Sequence, residues 1–311
     1  MTAGPKLAAF VAALAATFGA ALAVGAAVGP IDTGGDQSHH AAEAAETGAD
    51  ASSGAAGGLS IAAEGYRLDW GFASVPAATP STVTFRIVGP DGRAVTSFDT
   101  LHERQMHLIV VSRNLVDYLH LHPILGSGDA AGEWRVDLPP LAPGSYRVDA
   151  DFQPTGGPNL TLATDVVVEG PLTASELPAP SAVITVDGYD VRLDGAAVAG
   201  TARLAFTVEL EGRTVATEPY LGAGGHLVAL RVGDLAYVHV HPHEEPGRAA
   251  PEAGAVVFDV ELPTAGTYRL FFEFAHEGII RTAAFTVEVL HAVDGDVPHP
   301  TGTADDSHGG H

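Results

Sequence analysis

Histidines recur in this chain at intervals that suit metal ligation. His107, His120 and His122 stand in MHLIVVSRNLVDYLHLHP, Met106 to Pro123, and His226, His239 and His241 stand in HLVALRVGDLAYVHVHP, His226 to Pro242. In both copies the second and third histidines follow the first by thirteen and fifteen residues and lie just ahead of a proline. Neutral imidazole is the commonest protein ligand for transition metals, so ion binding is the chemistry these residues suggest. The sequence has no cysteine. That excludes thiolate zinc sites, iron–sulfur clusters, disulfides and cysteine nucleophiles together, and leaves His, Met, carboxylate or water as donors.

The two triplets have unequal surroundings. His102 and Met106 precede His107 in LHERQMH, whereas the second copy reads LGAGGH there and adds His243, Glu244 and Glu245 after its HVHP. A thioether beside imidazoles suits Cu(I), and three nitrogens without thiolate suit Cu(II) or zinc. On a regular strand Met106 faces away from His107, so a core methionine is the competing reading. The metal candidates are His102, Met106, His107, His120, His122, His226, His239, His241 and His243, with copper the expected ion and zinc the alternative. His276, after Phe274, is a further candidate without a counterpart in the first copy.

Hairpins must position these side chains. Residues alternate across a strand, so His120 and His122 share one face. Pairing MHLIVVS with YLHLHP through a turn at Arg113-Asn114 sets His107 opposite His120, and a turn one residue later sets it opposite His122. Gly233-Asp234 supplies the second turn and sets His226 opposite His241. Either register brings three imidazoles within the cross-strand spacing of about 5 Å, giving one three-histidine site per domain. A single site at the domain interface, fed from both copies, is the other arrangement the sequence allows. Asp149 and Asp151 alternate on a later strand and read as solvent-facing.

From Leu59 onward, runs rich in Val, Thr, Phe and Tyr are punctuated by Gly, Pro and Asp about every eight to twelve residues, the pattern of a sandwich or barrel. The strands GYRLDWGFAS, TVTFRIVG, MHLIVVS, YLHLHP, GEWRVDLP, SYRVDADF and LATDVVVEG have counterparts in a second series from YDVRLDG to TAAFTVEVL. PGSYRV at 143–148 is echoed by AGTYRL at 265–270, and DGR at 91–93 by EGR at 211–213. The repeat therefore spans whole domains. The expected fold is all-β, two tandem immunoglobulin-like β-sandwich domains after an N-terminal transmembrane or signal helix. The expected bounds are 1–31 for the signal or anchor, 32–58 for a disordered linker, 59–170 and 181–290 for the sandwiches, 171–180 for the linker between them and 291–311 for a disordered His-rich tail.

The apolar run from Leu7 to about Ile31 is long enough for a spanning helix, while Ala21-Leu22-Ala23 offers a cleavage site. Either outcome places the remainder outside the cytoplasm. His39 and His40 in the linker, with His291, His299, His308 and His311 in the tail, could capture ions at low affinity. Fifteen Lys and Arg against 38 Asp and Glu give a net charge of −23, which repels nucleic acid and attracts cations.

The chain resembles exported bacterial proteins that carry MHLIVV-type and HxHP strands with a later PGxY strand, grouped with YtkA-like and CopC-like copper-handling sandwich domains. The resemblance is carried by Met106 to Pro123, by Pro143 to Tyr146 and by their second-copy equivalents. It implies an immunoglobulin-like fold and extracytoplasmic association with copper or another heavy metal. The expected function is thus metal storage, resistance or delivery by a non-enzyme, with metal ions, the cell membrane through the N-terminal helix and a membrane metal transporter as partners. Two alternatives stand beside it. One is a structural or adhesive cell-surface tandem sandwich, since a fold carries no function by itself. The other is a cupin-type metalloenzyme, because Gly233, His239, His241 and Glu245 fit the opening of a cupin motif.

Overall fold

The computed structural model describes residues 16–18, 57–172, 175–238, 240–243 and 254–291. Among these no helix is long and apolar enough to cross a membrane. The anchor or signal segment lies outside the described residues apart from a helical turn at 16–18, as do His39, His40, His239, Glu244, Glu245 and the tail beyond His291. Both repeats fall in one compact unit, Ser52–His311.

The first domain has two sheets. One runs β1 (Ala62–Ala63), β2 (Tyr66–Asp69), β4 (Ser81–Val88), β8 (Glu133–Leu138) and β7 (Ile124–Leu125). The other runs β3 (Ser74–Pro76), β10 (Leu160–Glu169), β9 (Gly144–Phe152), β5 (Met106–Ser112) and β6 (Tyr118–Leu121). In the second domain β11 (Val183–Val186), β12 (Tyr189–Asp194), β13 (Gly200–Leu210), β18 (Ala255–Leu262) and β17 (Val240–Pro242) form one sheet, with β14 (Arg213–Thr214) beside β13. Its partner sheet is β16 (Tyr237–Val238), β15 (His226–Arg231), β19 (Gly266–His276) and β20 (Ile279–Val289).

These are immunoglobulin-like sandwiches. Alternating residues such as Val83, Phe85 and Ile87 of β4 and Trp134, Val136 and Leu138 of β8 fill the first core, and Leu204, Phe206 and Phe258 are among those that fill the second. The early strand β3 pairs in parallel with the last strand β10, and a parallel bridge Val198↔Leu290 does the same in the second domain. Each PGxY-type segment builds a tyrosine corner, with Tyr146 donating to Ala142 O at 3.1 Å and Tyr268 to Thr264 O at 2.9 Å. Each domain is two facing sheets rather than one closed barrel, so the barrel that a cupin reading requires is not formed by the described residues.

The two domains face one another through the sheets that hold β5 and β15. Ile109, Val111 and Leu115 of the first pack with Val228, Leu230, Leu235, Tyr237 and Phe271 of the second, forming a third apolar core between them. Tyr118 stacks on Phe271 at 4.0 Å. Removing each such side chain from water contributes roughly 1.5–3 kcal/mol, so this contact is comparable to part of a domain core. β5 is accordingly buried on both faces, with Met106, Leu108 and Val110 turned into its own sandwich and His107, Ile109 and Val111 toward the other domain.

The end of the expected tether departs from its sequence reading. Gly57 O accepts from Tyr237 N at 2.9 Å and Gly58 N donates to Thr161 O at 3.0 Å, so these two glycines bridge both domains. Arg147 Nη1 also donates to Gly58 O. The linker between the domains is docked as well, Thr286 donating to Pro178 O at 2.7 Å.

Candidate metal centre

Hairpin register seats the first histidine. Leu108↔Leu121 and Ile109↔His120 are paired, and continuing this ladder one step sets His107 against His122, the later of the two expected registers. On its other side His107 pairs with Asp151 of β9, as His226 pairs with Glu273 of β19. The repeat thus places an acidic residue beside each leading histidine.

The second copy diverges where its strand changes sheets. Ala229↔Val238 and Leu230↔Tyr237 begin the register that would take His226 to His241. Instead β16 stops at Val238, and β17 joins the opposite sheet, where His241 pairs with Asp259. In the first domain the crossing comes after the histidines, at Pro123, and β7 joins the far sheet beyond it. A corner two residues earlier therefore removes His241 from the interdomain sheet. Among the described residues His226 and His241 thus stand in opposite sheets, whereas the expected hairpin sets them face to face.

Among the described residues one histidine cluster forms between the domains. Ligand nitrogens of His107, His120 and His226 all lie within 4.8 Å of one another. The rings of His107 and His226 stack at 5.4 Å, His120 and His226 at 4.8 Å, and His122 lies 5.2 Å from His107 and 4.7 Å from His120. His102 completes the group, 6.0 Å from His107 and 5.9 Å from His226.

A directed hydrogen-bond chain threads the cluster. His107 Nε2 is 3.0 Å from Leu101 O, an obligate acceptor, so that nitrogen carries the proton and Nδ1 keeps a lone pair. His120 Nε2, 2.9 Å from His107 Nδ1, must then donate, which leaves His120 Nδ1 to accept from Glu273 Oε2 at 2.6 Å. Burial pushes the Glu273 carboxyl up to about 8, consistent with its carrying that proton. The His120 side chain is 0% exposed and that of Glu273 5%.

Electrostatics keep the imidazoles neutral. Burial, then the neighbouring His120, lowers His107 to about 3, against the hydrogen bond it donates to Leu101 O, which works upward. Burial alone takes His120 to about 3, and burial with His120 and Arg104 takes His122 to about 4. His226 is held well below its ordinary value by burial and by four surrounding histidines. Neutral rings have lone pairs available to an ion. His122 Nε2 and His226 Nε2 are buried and, among the described residues, have no hydrogen-bond partner.

Several sequence candidates stand elsewhere. Met106 is 1% exposed in the first sandwich core, on the strand face away from His107, which turns its thioether away from the imidazole cluster. His243 makes an exposed ion pair with Asp259 at 2.8 Å, away from the imidazole group, because β17 has crossed to the far sheet. His276 accepts from or donates to Tyr189 at 2.9 Å. His241 is exposed on β17, in the neighbourhood of His102.

Two acidic residues were misread from sequence. Asp149 is fully buried and Asp151 is 8% exposed, because their strand face meets the other domain rather than water. Burial raises both carboxyls, Asp151 to about 6 against a hydrogen bond from Thr161. Glu273 was missed altogether. Its signal was an acid in the otherwise apolar run LFFEFA, where a buried charge needs a partner.

The sequence matches no curated protein. Among solved structures it is similar to the Escherichia coli adhesin FdeC at 15% identity and TM-score 0.24, over 72% of this chain and 64% of that one. It is similar to the fibronectin(III)-like modules of Clostridium thermocellum CbhA at 11% identity and TM-score 0.20, over 79% of this chain and 100% of that one. The Yersinia pseudotuberculosis adhesin InvE shares 12% identity at TM-score 0.21, over 75% of this chain and 61% of that one. The chain spans less than two thirds of the FdeC and InvE chains. Through its two repeats, residues 61–170 and 184–291, the chain belongs to the family described as Domain of unknown function (DUF8832).

Proposed function

We propose that this chain is an extracytoplasmic metal-binding protein in which two immunoglobulin-like domains hold one transition-metal ion between them. His107 and His120 from the first domain and His226 from the second would be the ligands, with His122 and His102 at the margin. The observation that carries the reading is the convergence of three neutral imidazoles within 4.8 Å, one of them with an unpartnered buried nitrogen. Ligand nitrogens on a tetrahedral ion lie about 3.4 Å apart, following from metal–nitrogen bonds of about 2.1 Å, so a small opening of the His107 to His120 contact admits one.

With Met106 turned into the core the donors are all imidazole, which suits Cu(II) or zinc and removes the thioether argument for Cu(I). Copper as Cu(II) is our first choice and zinc the alternative. Storage, resistance and delivery all use such a site, delivery requiring a membrane transporter as partner. The N-terminal apolar segment would supply the membrane association or the export signal.

Equilibrium titration of the full chain with Cu(II) and with Zn(II) tests this. One ion per chain is expected, lost in His226→Ala as completely as in His107→Ala. Two ions lost independently would overturn the shared site, and no binding would overturn the metal reading.

A structural or adhesive tandem sandwich is the second reading, and the fold taken alone supports it more directly. The chain from Leu101 through His107 and His120 to Glu273 already joins the domains without an ion. Adhesion is also what FdeC and InvE are named for. On this reading His120→Ala lowers stability while a chelator changes nothing.

A further inference from the structure

Two of the central imidazoles are closed off from water, His107 at 2% exposure and the His120 side chain at 0%, so an ion reaches them only past groups nearer the surface. His102 is exposed, and its ring lies within 6.0 Å of His107 and His226, one from each domain.

His102 sits in a tight left-handed turn. Leu101 and Arg104 exchange hydrogen bonds of 2.8 and 2.9 Å around His102 and Glu103, whose φ angles are 46° and 64°. Two successive residues with positive φ are what a type I′ turn demands, and Gly, Asn and Asp are its usual occupants. The equivalent turn of the second domain, Tyr220 to Ala223, has the same geometry but places Gly222 where the first has Glu103, and Leu221 where the first has His102.

The turn is also tied to the site. Leu101 O accepts the His107 Nε2 proton, and Gly222 of the other domain stands opposite Glu103, where even an added Cβ would lie 3.9 Å from Glu103 Cγ. The rim therefore carries His102 and Glu103 from one domain, with His241 of the other near His102. Arg104 adds one positive charge there, folded back so that its Nη1 donates to Glu103 O at 3.1 Å.

We propose that His102 is the capture ligand, the imidazole that first takes a hydrated divalent ion from solution and hands it to His107 and His226. The proposal rests on the metal reading above. It assigns His102 a kinetic role, since a group that speeds an ion inward speeds it outward equally.

Stopped-flow quenching of intrinsic fluorescence by Cu(II), with equilibrium titration alongside, tests it on the full chain. His102→Asn removes the ring while suiting the left-handed backbone, and His102→Gly controls for the turn itself. Both are expected to slow Cu(II) association by about tenfold or more, because a tethered first ligand makes the later steps intramolecular. Release should slow by the same factor, leaving the dissociation constant nearly unchanged. Unchanged association in a chain that still binds Cu(II) overturns the capture role and leaves the site intact. Weaker binding with unslowed release overturns it too, by making His102 an equilibrium ligand. A wild-type chain that binds nothing overturns both readings.

Discussion

Glu273 decides what His120 can offer an ion. A carboxyl bonded to Nδ1 fixes the ring's orientation and, once the carboxyl is ionised, favours the tautomer whose Nε2 lone pair points at the cluster. Such outer partners typically govern metal affinity by about 10–100-fold. We therefore expect Glu273→Gln, nearly isosteric, to weaken Cu(II) or Zn(II) binding within that range in a chelator-competition titration, with the fold intact by circular dichroism. Affinity equal to wild type would show that His120 is held by packing alone. The histidine triplets were legible in the sequence, which left the register of His107 open between His120 and His122 until the strand pairing fixed it. Glu273 was not, because it reaches His120 from a strand 153 residues away in the other domain.

At the scale of elements, the site depends on how closely β15 approaches β19. Gly225 immediately precedes His226, and a Cβ there would meet Phe272 Cε2 at 2.7 Å and Glu273 O at 2.8 Å. Only the absence of a side chain lets the strand begin this near the residue that orients His120. Gly225→Ala should cost about 1–3 kcal/mol, as overpacking of a filled core does, read as a lower urea midpoint. An unchanged midpoint would mean that the two strands have slack. The strand ends were harder to read than their interiors. The proline of HxHP marks where the first copy changes sheets, yet the same motif in the second copy crosses before His241, so one local pattern yields two placements.

For the whole molecule, burial of the interface sets an opposed pair of proton linkages. His107, His120, His122 and His226 have folded values far below the ordinary 6.5, so the unfolded chain binds more protons below that pH and stability falls as pH drops. Glu273, Asp149 and Asp151 have folded values above the ordinary 4.5 or 3.8, so the folded chain holds more protons and stability falls as pH rises through them. Between about pH 4.5 and 6 the four histidines outnumber the three carboxyls by one proton, so stability rises gently with pH, and each unbalanced proton is worth about 1.4 kcal/mol per pH unit. In the presence of chelator we expect the unfolding midpoint to peak near about pH 6 and to decline both toward pH 8 and, more steeply, below about pH 4.5. A midpoint that climbs steadily from pH 5 to 8 would show that the carboxyls are ionised in the folded state.

The sequence by itself determined the fold class and the duplication and pointed to the histidines His107, His120 and His226 that come together, because strand alternation, turn residues and residue spacing are local properties of the chain. It even held an unused sign of the domain contact. MHLIVVS lacks the polar alternation of a strand with one wet face, as expected when both faces are covered. Only the tertiary structure decided that His226 of the second domain joins His107 and His120 of the first, that Asp149 and Asp151 are buried, and that Met106 lies in a core. Each of these turns on which sheet face meets the other domain and on where one strand changes sheets, and neither is encoded in spacing along the chain.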